Sequence, residues 1–215
     1  MKKLYVFAAA LLMTGALAQA QELSFGAGYL NSTLTGKYNG SQQNDEAANG
    51  IFLGGTFNLP IAGELKLAPG LYYSFLFGKG NGSYLNGAAT GSVTFAEHAI
   101  NVPVYLNYGM NLDQVDLFIF GGPTFQYGLS STYKVEGKLS AFGINLKTGG
   151  TIDNYKDKDM SPFNIYMGGG LGADFNKMIR VTLGFDYGLL NLYKGDTADT
   201  QYNRYNFKLG VAYLF

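Results

Sequence analysis

The stretch RYNFKLGVAYLF, residues Arg204–Phe215, decides the fold of this chain. Large apolar side chains occupy every second position and alternate with small or polar ones. The apolar set is Tyr205, Phe207, Leu209, Val211, Tyr213 and Phe215. Alternation with a period of two places these side chains on one face of a β-strand. A last strand with an apolar face and a terminal aromatic residue is typical of a transmembrane β-barrel, because that face meets lipid.

The same alternation recurs in earlier segments, so the sequence predicts eight strands. The outward-facing sets are expected to begin at Leu23, Ile51, Leu65, Ile100, Val115, Phe163, Ile179 and Tyr205. Transmembrane strands need about 9–11 residues, and these segments have a suitable length. The predicted fold is therefore an all-β, eight-stranded, antiparallel, up-and-down transmembrane barrel.

The connections between these strands alternate in length. Short turns are expected at 60–63, 109–114 and 176–178, and long polar loops at 33–49, 79–93, 129–161 and 193–203. Outer-membrane barrels have short periplasmic turns and longer extracellular loops. Both termini are therefore expected in the periplasm. Alternating apolar patches in the longest loop predict a hairpin above the membrane.

The first twenty residues have the features of a secretory signal. Lys2 and Lys3 precede an apolar run, and Ala18 and Ala20 form an A-x-A-like cleavage site. We predict a signal peptide at 1–20, a barrel domain at 21–215 and a place in the cell outer membrane. The chain has no cysteine, and its 15 basic and 15 acidic residues leave no basic excess for nucleic acid.

The face opposite the apolar one is expected to line a narrow lumen. It is rich in Gly, Ser, Thr and Asn, unlike the Lys/Glu-rich surface of a soluble barrel. A lumen charge network is predicted there, made of Glu97, Asp116, Asp174, Arg180, Asp186, Arg204 and Lys208. Arg180 is expected to neutralise Asp116 and Asp174. Two interpretations remain open: a salt-bridged plug that closes the barrel, which we favour because eight strands leave room only for side chains, and a charge-lined pore.

The sequence gives little support for a catalytic site. His98 is the chain's single histidine, and on its predicted outward face the same-strand neighbours are Ala96 and Ile100 rather than a nucleophile. We predict no catalytic, cofactor-binding or metal-binding residues, and no enzyme activity.

Three strands resemble those of a known family. Ala99–Tyr108 (AINVPVYLNY), Ile119–Gly128 (IFGGPTFQYG) and Leu183–Leu192 (LGFDYGLLNL) resemble strands of the PorT-like outer-membrane barrels of Bacteroidetes. Asn101 and Asn107 stand where that family often has Glu and Lys. The resemblance implies an eight-stranded barrel similar to OmpX and OmpA, and its motifs carry no catalytic residues. It also implies that Tyr213 and Phe215 form the signal by which the barrel assembly machinery recognises the last strand.

These observations lead to three functional hypotheses. The first is a non-enzymatic barrel with a closed lumen, whose extracellular loops bind a ligand or an envelope protein. The second is a small transport pore, and the third, with least support, is a lipid-modifying enzyme. Outer-membrane lipid, including lipopolysaccharide, and the assembly machinery are the other expected partners.

The alternation of turn and loop lengths predicts which sites face the outside of the cell. Epitope tags at Gly82, Gly149 and Asp196 should be accessible to antibody on intact cells. A tag within 111–114 should become accessible only after the outer membrane is opened. Labelling of the 111–114 tag on unbroken cells would reverse the predicted orientation.

Overall fold

We describe a computed structural model, in which the described residues are 22–39, 41–42, 45–84, 89–112, 115–141, 144–157, 159–195 and 199–215. The predicted signal peptide at 1–20 lies outside these residues. Within them, no helix has the length and apolar character needed to cross a membrane.

In the described part of the chain, ten antiparallel strands form one sheet. Their bounds are β1 Glu22–Tyr38, β2 Ser41–Gln42, β3 Glu46–Ala62, β4 Leu65–Tyr84, β5 Ala89–Leu112, β6 Val115–Ala141, β7 Ile144–Asp153, β8 Phe163–Phe175, β9 Ile179–Gly188 and β10 Gln201–Leu214. A short helix among the described residues, α1, covers Asn154–Asp157.

Pairing between the first and last strands closes the sheet into a barrel. The β1–β10 ladder runs from Ser24↔Leu214 to Lys37↔Gln201, and the amide of Phe215 then donates to the carbonyl of Leu23 at 2.8 Å. Two of the ten strands, β2 and β7, lie outside the ring β1-β3-β4-β5-β6-β8-β9-β10, which leaves eight barrel strands. The predicted eight-stranded up-and-down barrel is confirmed.

The apolar face of every barrel strand points outward, as the alternation predicts. Phe25, Ile119, Leu171 and Leu209 are 55%, 56%, 60% and 46% exposed. The buried residues are mostly polar, including Ser24, Asn58, Thr124, Asn164 and Asn206. Burial is thus inverted relative to a soluble barrel, as expected for a protein whose outer face meets lipid.

Large aromatic side chains also enter the lumen. The sequence pattern predicted only small, polar and charged residues on the inward face. Phe52, Tyr72, Tyr105, Phe118 and Phe120 all line its central part. Glycines on neighbouring strands make the room. A Cβ at Gly172 would collide with the ring of Phe118, and a Cβ at Gly28 would collide with the ring of Phe52. The small residues were predicted correctly, but the rings that they accommodate were not.

One side of the barrel continues as a four-stranded sheet beyond the rim, at the end that carries the long loops (the loop end). We call this the raised sheet; it consists of 78–84 of β4, 89–97 of β5, 131–141 of β6, and β7. The β6–β7 pairing confirms the hairpin expected within 129–161. The loop expected at 79–93 is instead mostly strand, because β4 and β5 continue to pair as far as Tyr84↔Ala89.

The outward position of Leu209 makes a prediction about membrane assembly. Leu209→Asp places a carboxylate on the lipid face, where charged substitutions cost up to about 2–4 kcal/mol for Arg or Lys and less for Asp. The amount of heat-modifiable protein in the outer membrane should fall. Val135→Asp is the matched control, because Val135 is an exposed apolar residue of the raised sheet. Equal assembly of both variants would contradict the predicted lipid contact of Leu209.

Candidate functional site

An ion-pair cluster lies at the end of the lumen that carries the short turns and the residues Glu22 and Phe215 (the turn end). Arg180 donates through Nε and Nη2 to the two carboxylate oxygens of Asp174, at 2.7 and 2.6 Å. Its Nη2 is also 4.0 Å from the carboxylate of Glu22, which pairs with Lys66 Nζ at 2.9 Å. The guanidinium of Arg180 stacks over the ring of Phe118, 4.6 Å from its centre.

The partner assignment made for Arg180 from the sequence is wrong in one respect. Asp116 faces Asp174 across the β6–β8 ladder, but among the described residues no cation lies within 4.0 Å of its carboxylate. The second carboxylate beside Arg180 is that of Glu22. Glu22 lies directly before the outward-facing Leu23, so the alternation itself could have assigned it to the lumen.

A second ion pair occupies the middle of the barrel. Lys208 Nζ lies 2.5 Å from a carboxylate oxygen of Asp186 and donates to the hydroxyl of Tyr105 at 2.9 Å. The same hydroxyl is 2.9 Å from Thr124 Oγ1 and donates to Asp186 at 3.3 Å. A lysine, a carboxylate, a phenol and a threonine therefore form one connected group. Tyr105 was absent from the predicted network because aromatic residues were not expected inside.

The third ion pair lies in the lumen toward the loop end. Arg204 binds both carboxylate oxygens of Glu97 through Nη1 and Nη2, and the two residues are 8% and 2% exposed. Ser131 donates to Glu97 at 3.0 Å, and Asn154 donates to Ser131 at 2.9 Å. The helix α1 is thereby tied to the charge pair beneath it. A buried charge is costly unless paired and hydrogen-bonded, and Glu97 has both kinds of partner.

The residue after Asn154 places a phenol near this pair. Tyr155 packs so closely on Gly128 that any Cβ there would collide with its hydroxyl. Burial, and then the nearby Glu97, raise the pKa of Tyr155 above its usual range. The phenol is therefore neutral at any physiological pH. Backbone bonds from Ser161 to Leu192, and from Lys194 to Asp159, connect the two neighbouring loops.

A chain of neutral hydrogen bonds links strands at the level between the second and third ion pairs. Tyr166, with 0% exposure, donates to Gln126 at 3.0 Å, Gln126 to Asn101 at 2.9 Å, and Asn101 to Ser74 at 2.9 Å. Cavities in the described lumen include one at each end and one in the centre. They measure about 40 Å³ at the turn end, 120 Å³ in the centre and 330 Å³ at the loop end.

His98 lies on the outer face of the barrel, close to the raised sheet. The hydroxyl of Tyr73 hydrogen-bonds its Nδ1, and the ring of Phe75 stacks on it with the ring centres 4.7 Å apart. A β-bulge in β6 brings Ser130 directly opposite His98, a neighbour that the single-strand reasoning missed. In the described residues, however, no carboxylate contacts His98, and none of their His, Cys, Asp and Glu side chains cluster as a metal site.

The outward apolar face, the polar lumen and the closed antiparallel ring define the chain as an integral outer-membrane β-barrel. It belongs to the family described as "Outer membrane protein beta-barrel domain", whose model matches residues 17–194. No curated protein matches the chain.

Several solved structures are similar in fold. Ail, the attachment invasion locus protein of Yersinia pestis, in complex with the heparin analogue sucrose octasulfate, is 15% identical, with 90% of this chain and 98% of Ail covered and a TM-score of 0.40. Neisserial surface protein A is 9% identical over 88% and 96%, with a TM-score of 0.39. The outer membrane enzyme PagL is 13% identical over 85% and 97%, with a TM-score of 0.47.

The Arg204–Glu97 pair predicts a large loss of stability when one partner is removed. Glu97→Ala leaves a buried guanidinium without its carboxylate, which typically costs about 3–5 kcal/mol. Glu136→Ala is the matched control, because Glu136 pairs with Lys134 on the surface, where such pairs contribute about 0–1 kcal/mol. Denaturant unfolding of the refolded barrels should show a much lower midpoint for Glu97→Ala alone. Equal midpoints would mean that water already screens the lumen pair.

Proposed function

We propose that this chain is a non-enzymatic outer-membrane barrel with a closed lumen, whose loop end binds a ligand or an envelope partner. We also propose that it belongs to the PorT-like branch of Bacteroidetes barrels, on the three strand motifs described above. The observation that carries the functional proposal is the raised sheet, which extends well beyond what a membrane crossing requires.

The raised sheet supports binding because its outer strands have unpaired edges. The β3–β4 ladder ends at Asn49↔Phe77, whereas β4 continues to Tyr84. Within the described part of the chain, β7 pairs with β6 alone. An unpaired edge presents free backbone N–H and C=O groups, which can add a strand from another chain. Proteins normally protect such edges. Two unpaired strand edges in one sheet therefore favour a role in binding another chain.

The ion pairs and rings of the lumen support a closed barrel. A cation is bound to a carboxylate at three levels of the described lumen: Arg180–Asp174, Lys208–Asp186 and Arg204–Glu97. Aromatic rings line the lumen between them. Eight strands enclose only enough room for side chains, so these groups occupy the path that an ion would need.

The enzyme hypothesis has less support. Acyl transfer needs a nucleophile, a base and a group that orients the base. His98 and Ser130 share an edge of the lipid-facing surface, but the group on His98 Nδ1 is the Tyr73 phenol rather than a carboxylate. Unchanged lipid A acylation after deletion of the gene would agree with the non-enzymatic proposal.

Conductance separates the closed barrel from the pore. Purified, heat-modifiable protein should give no steady channels in a planar bilayer. Arg180→Ala should lower the unfolding midpoint without opening a channel, because it removes one pair and leaves the other two. Steady currents from the folded wild-type protein, with ion selectivity that changes in Arg180→Ala, would overturn the closed-lumen proposal.

Site-specific crosslinking tests the binding role of the raised sheet. A photoreactive residue at the exposed Thr151 of β7 should capture a partner on intact cells. The same residue at Ile61, which is exposed at the turn end, is the control. Adducts at Ile61 but none at Thr151 would remove the loop end as the contact surface.

A further inference from the structure

An open cavity at the loop end, which we call the cup, lies above the Arg204–Glu97 pair. It has a volume of about 330 Å³, at the lower end of the range of small-molecule pockets. Its walls come from different strands and are mainly apolar. The principal side chains are Leu34, Leu76, Val93, Phe95 and Tyr133.

The cup has one carboxylate that no cation neutralises. Glu46 lies in its wall, and among the described residues no Lys or Arg nitrogen is within 4.0 Å of it. Arg204 contributes to the floor, but Glu97 already holds both of its terminal nitrogens. The local balance is therefore one negative charge in a largely apolar cup.

Lys79 also borders the cup, but its side chain leaves from the other face of β4. Gly78 is paired with Phe95, whose ring lines the cup, and successive side chains of a strand point to opposite faces. The exposed ammonium of Lys79 is accordingly directed to the outside of the raised sheet. It does not cancel the charge of Glu46.

Two adjacent aromatic rings line the cup, and one of them is hydrogen-bonded to this carboxylate. Phe95 and Tyr133 lie with ring centres 4.9 Å apart and planes inclined by 37°. The Tyr133 hydroxyl donates to Glu46 Oε2 at 2.7 Å, across a separation of 87 residues in the chain. Burial, and then this hydrogen bond, raise the pKa of Tyr133, which keeps the phenol protonated and the carboxylate in place. A carboxylate in a cup that is also lined by aromatic rings is a combination that attracts an organic cation.

We propose that the cup binds a small organic cation, an ammonium group carried on an apolar or aromatic body. Glu46 receives the ammonium group, Phe95 and Tyr133 contact it or the adjoining carbon atoms, and Leu34, Leu76 and Val93 enclose the body. This inference rests on the proposed function of the loop end as a binding surface, and it names the class of ligand.

Three probes of nearly the same shape test the role of charge. The mature chain, refolded into lipid nanodiscs, is titrated calorimetrically with 2-phenylethylamine, 2-phenylethanol and phenylacetate, with empty nanodiscs as the blank. The amine should bind, and its affinity should fall as salt is raised. The alcohol should bind about tenfold more weakly or not at all, since it lacks the charge-assisted contact. Equal binding of the amine and phenylacetate, or no binding of the amine, would overturn the proposal.

Variants locate the site. Glu46→Gln keeps the size and an acceptor for Tyr133 but removes the charge, so amine affinity should fall about tenfold toward that of the alcohol. Phe95→Leu keeps an apolar wall but removes an aromatic ring. It should weaken binding of the amine more than binding of the alcohol. Glu136→Gln is the matched control, because it removes an exposed carboxylate of the same sheet outside the cup. All variants are compared only as heat-modifiable, folded barrels.

The outcome separates this inference from the proposed function. If the amine fails to bind while Thr151 still captures a partner on cells, the cup is not a cation site and the binding surface remains. If Glu46→Gln and Glu136→Gln bind the amine equally well, binding occurs elsewhere and the assignment to the cup is wrong.

Discussion

The hydrogen-bonded ladder between β1 and β10 is the constraint on which the rest of the structure depends. The hydrocarbon core contains no water to satisfy backbone groups, so a sheet can cross it only when its edges pair with each other. Closing eight strands leaves a narrow interior, and every inward side chain must then fit both the available volume and the low polarity of that space. The hydrogen bond from the Phe215 amide to the Leu23 carbonyl completes this ring at the turn end.

The composition of the lumen follows from this narrowness. Glycines let strands and rings approach closely, as at Gly172 beneath Phe118. The cations Arg180, Lys208 and Arg204 are each bound to a carboxylate. A soluble domain gains stability by burying apolar surface, whereas here the apolar surface faces lipid. Specific polar contacts and shape complementarity therefore contribute more to fixing the register of neighbouring strands. The Glu97 group, which joins β5, β6, β10 and α1, is the most connected example.

The two ends of the barrel differ because only the loop end extends for many residues beyond the lipid. Outside the lipid, the outer face of a strand does not have to be apolar. At the turn end, short connections return each strand directly to the membrane. At the loop end, β4 to β7 continue as the raised sheet, where one face of a strand no longer has to be apolar. That region combines unpaired strand edges with a cup whose carboxylate, Glu46, lacks a cation partner among the described residues. The features suited to recognition are concentrated where the lipid no longer dictates the side chains.

The sequence by itself determined the barrel, the outward faces and the hairpin within 129–161, because each depends on a local period of two or on the length of a connection. It also identified most of the charges of the lumen, though not Glu22, since inward positions alternate with outward ones. Only the tertiary structure decided which charges meet: Arg204 with Glu97, and Arg180 with Asp174 and Glu22 rather than Asp116. These pairs depend on the stagger of strands around the closed ring, which no local pattern records. The bulge that sets Ser130 opposite His98 and the bond from Tyr133 to Glu46 depend on the same stagger.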